Sequence, residues 1–401
     1  MMALLNCLKF KMGSSGRRRS KRVDDHATAD ADDDYCSTTY NDPSTSLKVE
    51  VEVKVKVADD DEVMIKRYSW AEIHRIADNF SRVIGEGGFS TVYLGQYNHH
   101  HHHQYPLAVK IHRNTSSSQR LSRLFKQELQ IMLQIRHPNI VKLLGYCSDD
   151  EQEEGALVLE YVPNGSLHDK LHHDDDDDDD ENYNKNYNSS SIGIGRGGRG
   201  GRGVPLPWNK RMQIAFQLAE AIDYLHSSCP LQIVHGDIKS SNVLLDNNLN
   251  CRLCDFGSAK MGFSSSVNHH VDKSSSSSIL LLAGSPGYID PHYLRTGIAS
   301  KKNDVYSFGV ILLELITGME AFNSSHNQKL LTSILTPAIL KNDNLMSQMT
   351  DPRLAASGGF PPHHQLVSMT SLAAQCILPQ PTLRPSMADI VGIIMTTIDT
   401  T

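Results

Sequence analysis

Asp237 and Asn242 stand five residues apart in HGDIKSSNVLL (235–245), and Asp255 follows thirteen residues later in CDFGSA (254–259). A carboxylate and an amide oxygen converging on one place suit a hard cation such as Mg2+, which takes oxygen ligands and shares them with phosphates. Upstream, GEGGFSTVY (85–93) sets Gly85, Gly87 and Gly88 between two strand-like runs. Without a Cβ, a turn there can press backbone N–H groups close to phosphate oxygens. Taken alone this is an ordinary Gly-rich hairpin, and Ser90 stands where G-x-G-x-x-G would have its third glycine. Lys110, in PLAVKIH on the following strand, adds a cation able to reach the same phosphates. Together these groups could handle a metal-bound phosphate.

Such residues need elements to hold them. The pattern becomes globular at Met64. Ile73, Ile76, Ala77 and Phe80 in WAEIHRIADNF (70–80) predict one helix, and RVIGEGG, STVYLG and PLAVKIH predict strands. A helix is expected around LFKQELQIMLQI (124–135), then more strand in IVKLLGYC and ALVLEYV, ending near Val162. Beyond that, Ile214, Leu218, Ile222 and Leu225 make RMQIAFQLAEAIDYLH one amphipathic helix, and Leu366, Met369, Ala373 and Cys376 mark another. A β-rich part followed by a helix-rich part implies an α+β chain in two lobes.

The 401 residues leave room for two or three domains or one large bilobed one. Hydrophobic residues at 39%, with 27 Gly added, give the apolar share of an ordinary globular protein. Seven Cys, an odd count scattered through a long chain, argue against a disulfide scaffold and for a reducing compartment. The longest apolar run, VILLELI (310–316), falls far short of a membrane span, and MMALLNCLKFK does not read as a secretory signal. A soluble, cytoplasmic protein is the expectation.

The net charge of −7 is unevenly spread. Residues 1–22 carry +7, residues 23–63 carry −10, and Asp174–Asp180 with Glu181 carry −8. Acidity therefore belongs to tails and loops and says nothing about partners of the core. Blocks of like charge with few large apolar residues predict a disordered tail over 1–63. Inside it, KVEVEVKVKV (48–57) alternates with strand period, but it lacks a partner unless it adds to a sheet edge. Low-complexity stretches at His99–His103, 116–118, 172–203 and 264–278 read as surface-loop insertions.

The ordered set of motifs resembles the eukaryotic protein-kinase family, and most closely the plant receptor-like cytoplasmic Ser/Thr kinases, over roughly residues 70–398. The resemblance implies a bilobed kinase fold. Its small β-rich N-lobe with one main helix would span 64–162. A larger helical C-lobe would span 163–398, with the 172–203 insertion and a Ser-rich activation-loop insertion at 264–278. It implies ATP and Mg2+ as cofactors and Ser/Thr-bearing proteins as substrates. Gly85, Gly87 and Gly88 would cover the phosphates, Val92 would lie against the adenine, and Ile84 and Ala108 would complete the nucleotide-binding set. Lys110 would hold the α/β-phosphates with Glu128 as its ion-pair partner. Leu159 would guard the back of the pocket, and Glu160 to Val162 would face the adenine as a hinge. Asp237 would accept the substrate hydroxyl proton, Lys239 would sit near the transferred phosphoryl group, and Asn242 and Asp255 would hold Mg2+. Lys239 two residues after Asp237, with Ser285 in GSPGYIDP (284–291), points to serine/threonine specificity. A pseudokinase scaffold is the alternative, opposed by the joint presence of Lys110, Glu128, Asp237, Asn242 and Asp255.

The chain departs from the family pattern in three places. Gly236 replaces the Arg that usually precedes the catalytic Asp, so activity is expected not to depend strongly on activation-loop phosphorylation. His292 replaces the Glu that would pair with Arg384, and it cannot form a bidentate carboxylate–guanidinium contact. His292→Glu is therefore expected to raise the thermal midpoint. Ser90 for glycine is a mild change.

Other features receive plainer readings. Cys251 and Cys254 form a lone C-x-x-C whose side chains would point to opposite faces of a strand, so core thiols are expected and not zinc. The Asp run reads as a solvated spacer and the poly-His tract as a loop expansion. GRGGRGGRG (195–203) offers only three arginines beside that Asp run, which argues against nucleic acid as a partner. Cys7 with the seven basic groups after it could supply the two signals of peripheral contact with the plasma membrane. A tail with an incidental thiol is equally open. An upstream membrane receptor kinase is the further partner that the resemblance suggests.

Overall fold

The computed structural model describes residues 52–54, 64–87, 90–98, 104–112, 118–149, 154–172, 205–262, 284–323, 329–341, 348–357 and 359–399, all within one unit. Gly88, Cys7, the His tract, the Asp run, the Gly-Arg repeat and residues 264–278 lie outside them.

A seven-stranded sheet forms the first lobe. Its strands are β1 (Glu52–Lys54), β2 (Met64–Arg67), β3 (Val83–Glu86), β4 (Ser90–Asn98), β5 (Gln104–His112), β6 (Leu143–Asp149) and β7 (Glu154–Glu160), in the order β1-β2-β6-β7-β5-β4-β3. Only β2 and β6 run parallel; the other neighbours are antiparallel. β1 lies inside the segment whose charges mark it as tail. It pairs with β2 from Glu52↔Lys66 to Lys54↔Met64, so three residues of the Val–charge alternation form the sheet-edge strand. Its backbone groups find on β2 the partner that the tail alone could not provide.

Two helices lie against this sheet. α1 (Trp70–Ile76) opens on a capping box: Glu72 N donates to Ser69 Oγ at 3.3 Å and Ser69 N to Glu72 Oε2 at 2.8 Å. The helical spacing predicted an extension to Phe80, but α1 stops at Ile76. Asp78, Asn79 and Phe80 take φ of 47°, 52° and 61°, a left-handed turn that lays Phe80 on Tyr93 at 5.0 Å between centroids. Ring packing here outweighs the cost of the left-handed backbone. α2 (Ser118–Met132) carries Phe125 and Glu128 inward.

β5 shows how the strand period sorts function from packing. Leu107, Val109 and Ile111 enter the core between the sheet and α1. Ala108, Lys110 and His112 share the opposite face.

The second lobe is built on helices. α3 (Leu167–His172) leads into α4 (Trp208–Asp223), which ends in a wider turn at Tyr224–Ser228. His172, expected as the first residue of an insertion, is the last residue of α3, held by a 3.0 Å contact with Glu314. Short strands β8 (Ile233–Val234), β9 (Val243–Leu245), β10 (Cys251–Leu253) and β11 (Lys260–Met261) follow, then α5 (Pro291–Thr296) and α6 (Lys301–Thr317). Every residue of α6 from Asn303 to Thr317 is buried, so the apolar run at 310–316 is the centre of the lobe. Each fully buried Leu or Ile of this kind is worth about 1.5–3 kcal/mol. α7 (Leu331–Lys341), α8 (His363–Cys376) and α9 (Met387–Asp399) pack around it. Gly309 lets α6 approach α8 closely, because a Cβ there would sit 2.6 Å from that of Cys376. Leu366, Met369, Ala373 and Cys376 are all buried on α8, as their spacing predicts.

Candidate active site

Lys110 projects from the inner face of β5 and is 5% exposed. Its Nζ lies 2.6 Å from Glu128 Oε1 on α2 and 2.8 Å from Asp255 Oδ1 in the second lobe. Burial alone would push the lysine down, but the charges of Glu128 and Asp255 hold it above its ordinary value. Asp255 loses solvation too, yet Lys110 and the backbone N–H of Gly257 carry its carboxyl well below the usual range. Glu128 is lowered in the same way, burial being outweighed by Lys110 and then His112. Asp255 adopts a φ of 64° and keeps its side chain 43% exposed. The strained backbone points a carboxylate at open space while its other side is tied to Lys110.

The loop before β9 carries Asp237 and Asn242. Two backbone N–H groups, those of His235 and Gly236, each donate at 2.9 Å to the carboxylate of Asp304 in the first turn of α6. His226 Nε2 reaches the same carboxylate at 2.8 Å. The His235 ring accepts at Nδ1 from Asp237 N at 3.3 Å and donates from Nε2 to Cys254 O at 3.1 Å, which assigns the neutral Nε2–H tautomer. Asn242 Nδ2 donates to Asp237 O at 2.9 Å and to Asp237 Oδ2 at 3.3 Å. The Asn242 carbonyl accepts from Cys254 N at 3.0 Å, so its loop is laced to the residue before Asp255.

Lys239 Nζ sits 3.0 Å from Asp237 Oδ2 and donates to Ser285 Oγ at 2.8 Å; Ser285 Oγ donates in turn to Asp237 Oδ1 at 2.9 Å. Three side chains thus form a closed ring around the Asp237 carboxylate. Facing the sheet, Val92 pairs with both Gly85 and Lys110 in register, and Ala108 pairs with Leu159. Ile84, Gly85, Val92, Ala108, Leu159 and Val162 are all half-buried, and Gly87 turns the hairpin through its N–H to Ser90 O at 2.8 Å. The Glu160 side chain points elsewhere, accepting from Lys142 N at 3.0 Å, so only its backbone is left to face a pocket. The structure therefore brings a lysine, two aspartates and an asparagine to the seam between sheet and helices.

A family model described as protein tyrosine and serine/threonine kinase matches residues 79–394. The chain belongs to the protein kinase family. It is 45% identical over 327 residues to salt tolerance receptor-like cytoplasmic kinase 1 of Oryza sativa subsp. japonica, covering 81% of this chain and 79% of that one. A probable receptor-like protein kinase of Arabidopsis thaliana is 42% identical over 329 residues, 80% of this chain and 85% of the relative. A probable serine/threonine-protein kinase of the same plant is 35% identical over 382 residues, 94% and 89% of the two chains. Membership in this family brings ATP use with it. Among the described residues, no helix is long and apolar enough to cross a membrane.

One reading of this kinase needs correction. Arg384 does not lack a carboxylate because His292 replaces a glutamate. Asp290, two residues earlier, takes Arg384 in a bidentate pair with Nη1–Oδ2 at 2.6 Å and Nη2–Oδ1 at 2.9 Å, both side chains buried. The same aspartate caps α5 by accepting from His292 N at 2.8 Å. The basis for expecting stabilisation from His292→Glu is therefore gone.

Sequence reasoning also passed over Asp304 as the acceptor for the loop and over His112 beside Glu128. His112 was visible as the residue two positions after Lys110, hence on the same face. Asp304 opens DVYSFG (304–309), a further match to the family pattern, but nothing local named its partners, which lie 68 and 69 residues away. His168, His172 and Glu314 bring one donor atom each within 4.8 Å of one another. Glu314 is already engaged by Tyr288 at 2.8 Å, Ser240 at 3.2 Å and His172 at 3.0 Å, a buried network tying α3 to the 235–242 loop. Cys251 is buried and Cys254 half-buried, both as free thiols, and burial pushes both up, Cys254 to about 12.

Proposed function

We propose that this kinase transfers the γ-phosphoryl group of ATP to Ser/Thr hydroxyls of protein substrates. The observation that carries the reading is the closed ring of Lys239, Ser285 and Asp237, which holds one Asp237 oxygen on each partner and aims the carboxylate at a single place. Asp237 acts as the base for the substrate hydroxyl, and Lys239 stays within reach of the transferred group. Lys110, kept charged by Glu128 and Asp255, meets the α/β-phosphates, with Gly85, Gly87 and Gly88 over them. Ile84, Val92, Ala108, Leu159 and the backbone of Glu160 to Val162 form the adenine slot.

The exposed Asp255 carboxylate and the Asn242 amide oxygen are hard donors from two laced segments, a set that fits Mg2+. When bound, Mg2+ neutralises phosphate charge. The intact Lys110–Glu128–Asp255 cluster speaks against a scaffold without activity. The decisive experiment incubates the full chain with Mg-ATP and a generic protein substrate beside Asp237→Asn. Phosphate incorporation should fall about 10²–10⁴-fold in the variant; equal incorporation by both would defeat the assignment.

A membrane receptor kinase upstream fits the names of the relatives, which include receptor-like kinases. Peripheral membrane contact through Cys7 and the basic residues after it belongs to the same reading, and unchanged vesicle binding by Cys7→Ser would remove it.

A further inference from the structure

His112 is a buried titratable side chain that the chemistry above leaves unused. It lies on β5 two residues past Lys110, so both side chains leave the same face of the strand. The imidazole is 5% exposed, and its Nε2 stands 3.0 Å from Glu128 Oε2. The other oxygen of that carboxylate, Oε1, is the one on Lys110 at 2.6 Å. The approach is a close polar contact outside hydrogen-bond geometry, since among the described residues both Nε2 and Oε2 lack a hydrogen-bond partner, and the His112 ring stands edge-on to Phe125 at 5.5 Å between centroids. Phe125 and Glu128 lie three apart on α2, so one imidazole touches the same helix face twice.

We propose that His112 is a positioning residue for phosphoryl transfer, fixing the second oxygen of Glu128 so that the first is presented to Lys110. The inference rests on the ATP-dependent reading of the site. Its physical basis is the orphaned carboxylate oxygen. Glu128 is 2% exposed, so an Oε2 without a donor at that depth carries the desolvation cost of an unpaired carboxylate oxygen. Without His112 the carboxylate gains by rotating or by moving α2, and either motion takes Oε1 off Lys110. With His112 in place, Glu128 keeps a polar neighbour 3.0 Å from Oε2 when Lys110 turns towards phosphate, and a small rotation of the ring would bring its N–H into line.

Two variants separate positioning from simple filling of space. His112→Gln keeps an N–H near the Nε2 position and loses the ring; His112→Phe keeps the ring against Phe125 and loses the donor. With the full chain, Mg-ATP and a generic protein substrate, H112F should lose about tenfold in kcat/KM for ATP, mostly through KM. H112Q should retain most of the wild-type value. In a Glu128→Gln background, H112F should add little further loss, since the partner is already changed. A purely structural histidine gives the reverse order, H112F near wild type and H112Q impaired, and that result overturns the proposal. Equal activity of all three forms overturns it as well. Thermal midpoints verify folding, and should H112F not fold, H112Q decides alone: its impairment sinks the idea. An inactive wild-type chain would instead sink the phosphoryl-transfer reading and is thereby distinguished.

Discussion

Two buried ion pairs in this kinase have the same shortest distance and opposite designs. Arg384 and Asp290 meet at 2.6 Å, one cation on one carboxylate. Two further guanidinium donors go to Leu378 O and Lys302 O at 2.8 Å each, and Asn303 Nδ2 adds a bond to Asp290 Oδ2. With side chains 0% and 1% exposed, neither group is open to a ligand. Lys110 and Glu128 also meet at 2.6 Å, but Lys110 serves Asp255 of the other lobe as well, giving one cation to two carboxylates. That cluster is short of positive charge, is open at Asp255, and joins the lobes at the point where phosphates and a cation would enter. Burial and short distances are common to both pairs. What separates function from structure is whether the set of charges and hydrogen bonds is already complete.

If this contrast is right, the two centres answer differently to substitution. Lys110→Arg keeps the charge but replaces a point donor with a rigid fork, and activity should fall about 10²-fold while the thermal midpoint moves little. A collapse of stability with activity per folded molecule intact would break the comparison. Asp290→Ala should do the opposite, costing about 3–5 kcal/mol by leaving Arg384 buried and unpaired. Chemical denaturation measures this, and a loss near zero would show that the pair is not the closed unit described here.

A smaller effect is expected from phosphatase treatment of the active protein. The Lys239–Ser285–Asp237 ring ties the 284–291 segment to the 235–242 loop with protein groups alone. Gly236 has a φ of 77°, and a Cβ there would meet Ser258 O at 3.0 Å, so the position does not welcome a phosphate-binding arginine. Most turnover should survive dephosphorylation; its abolition would show that the ring needs help. The smallest effect belongs to His292→Glu. With Arg384 already saturated, the midpoint should shift by no more than about 0.5 kcal/mol in stability. A clear rise would mean that the Asp290 pair is weaker than its geometry states.

Much of this molecule was legible in one dimension. Strand and helix periods located the β-rich and helical lobes, and the spacing of Asp237, Asn242 and Asp255 with the glycines and Lys110 pointed to the candidate site. These features are local or ordered along the chain, and periodicity reports directly which face is buried. Tertiary structure decided the partners. Arg384 found Asp290 and not residue 292, because a guanidinium selects the carboxylate whose two oxygens it can reach, whatever the motif position. The 70–80 helix ended at Ile76 because ring packing in three dimensions overrode a pattern that could be read in one. The Val–charge strand became part of a sheet only once β2 offered an edge. Asp304 gathers the 235–242 loop from nearly seventy residues away, and His112 finds Glu128 across sixteen. Sequence thus determined which chemical groups and which faces this kinase has. Only folding determined which charges are spent on one another and which remain for a substrate, because hydrogen bonds and ion pairs form between neighbours in space.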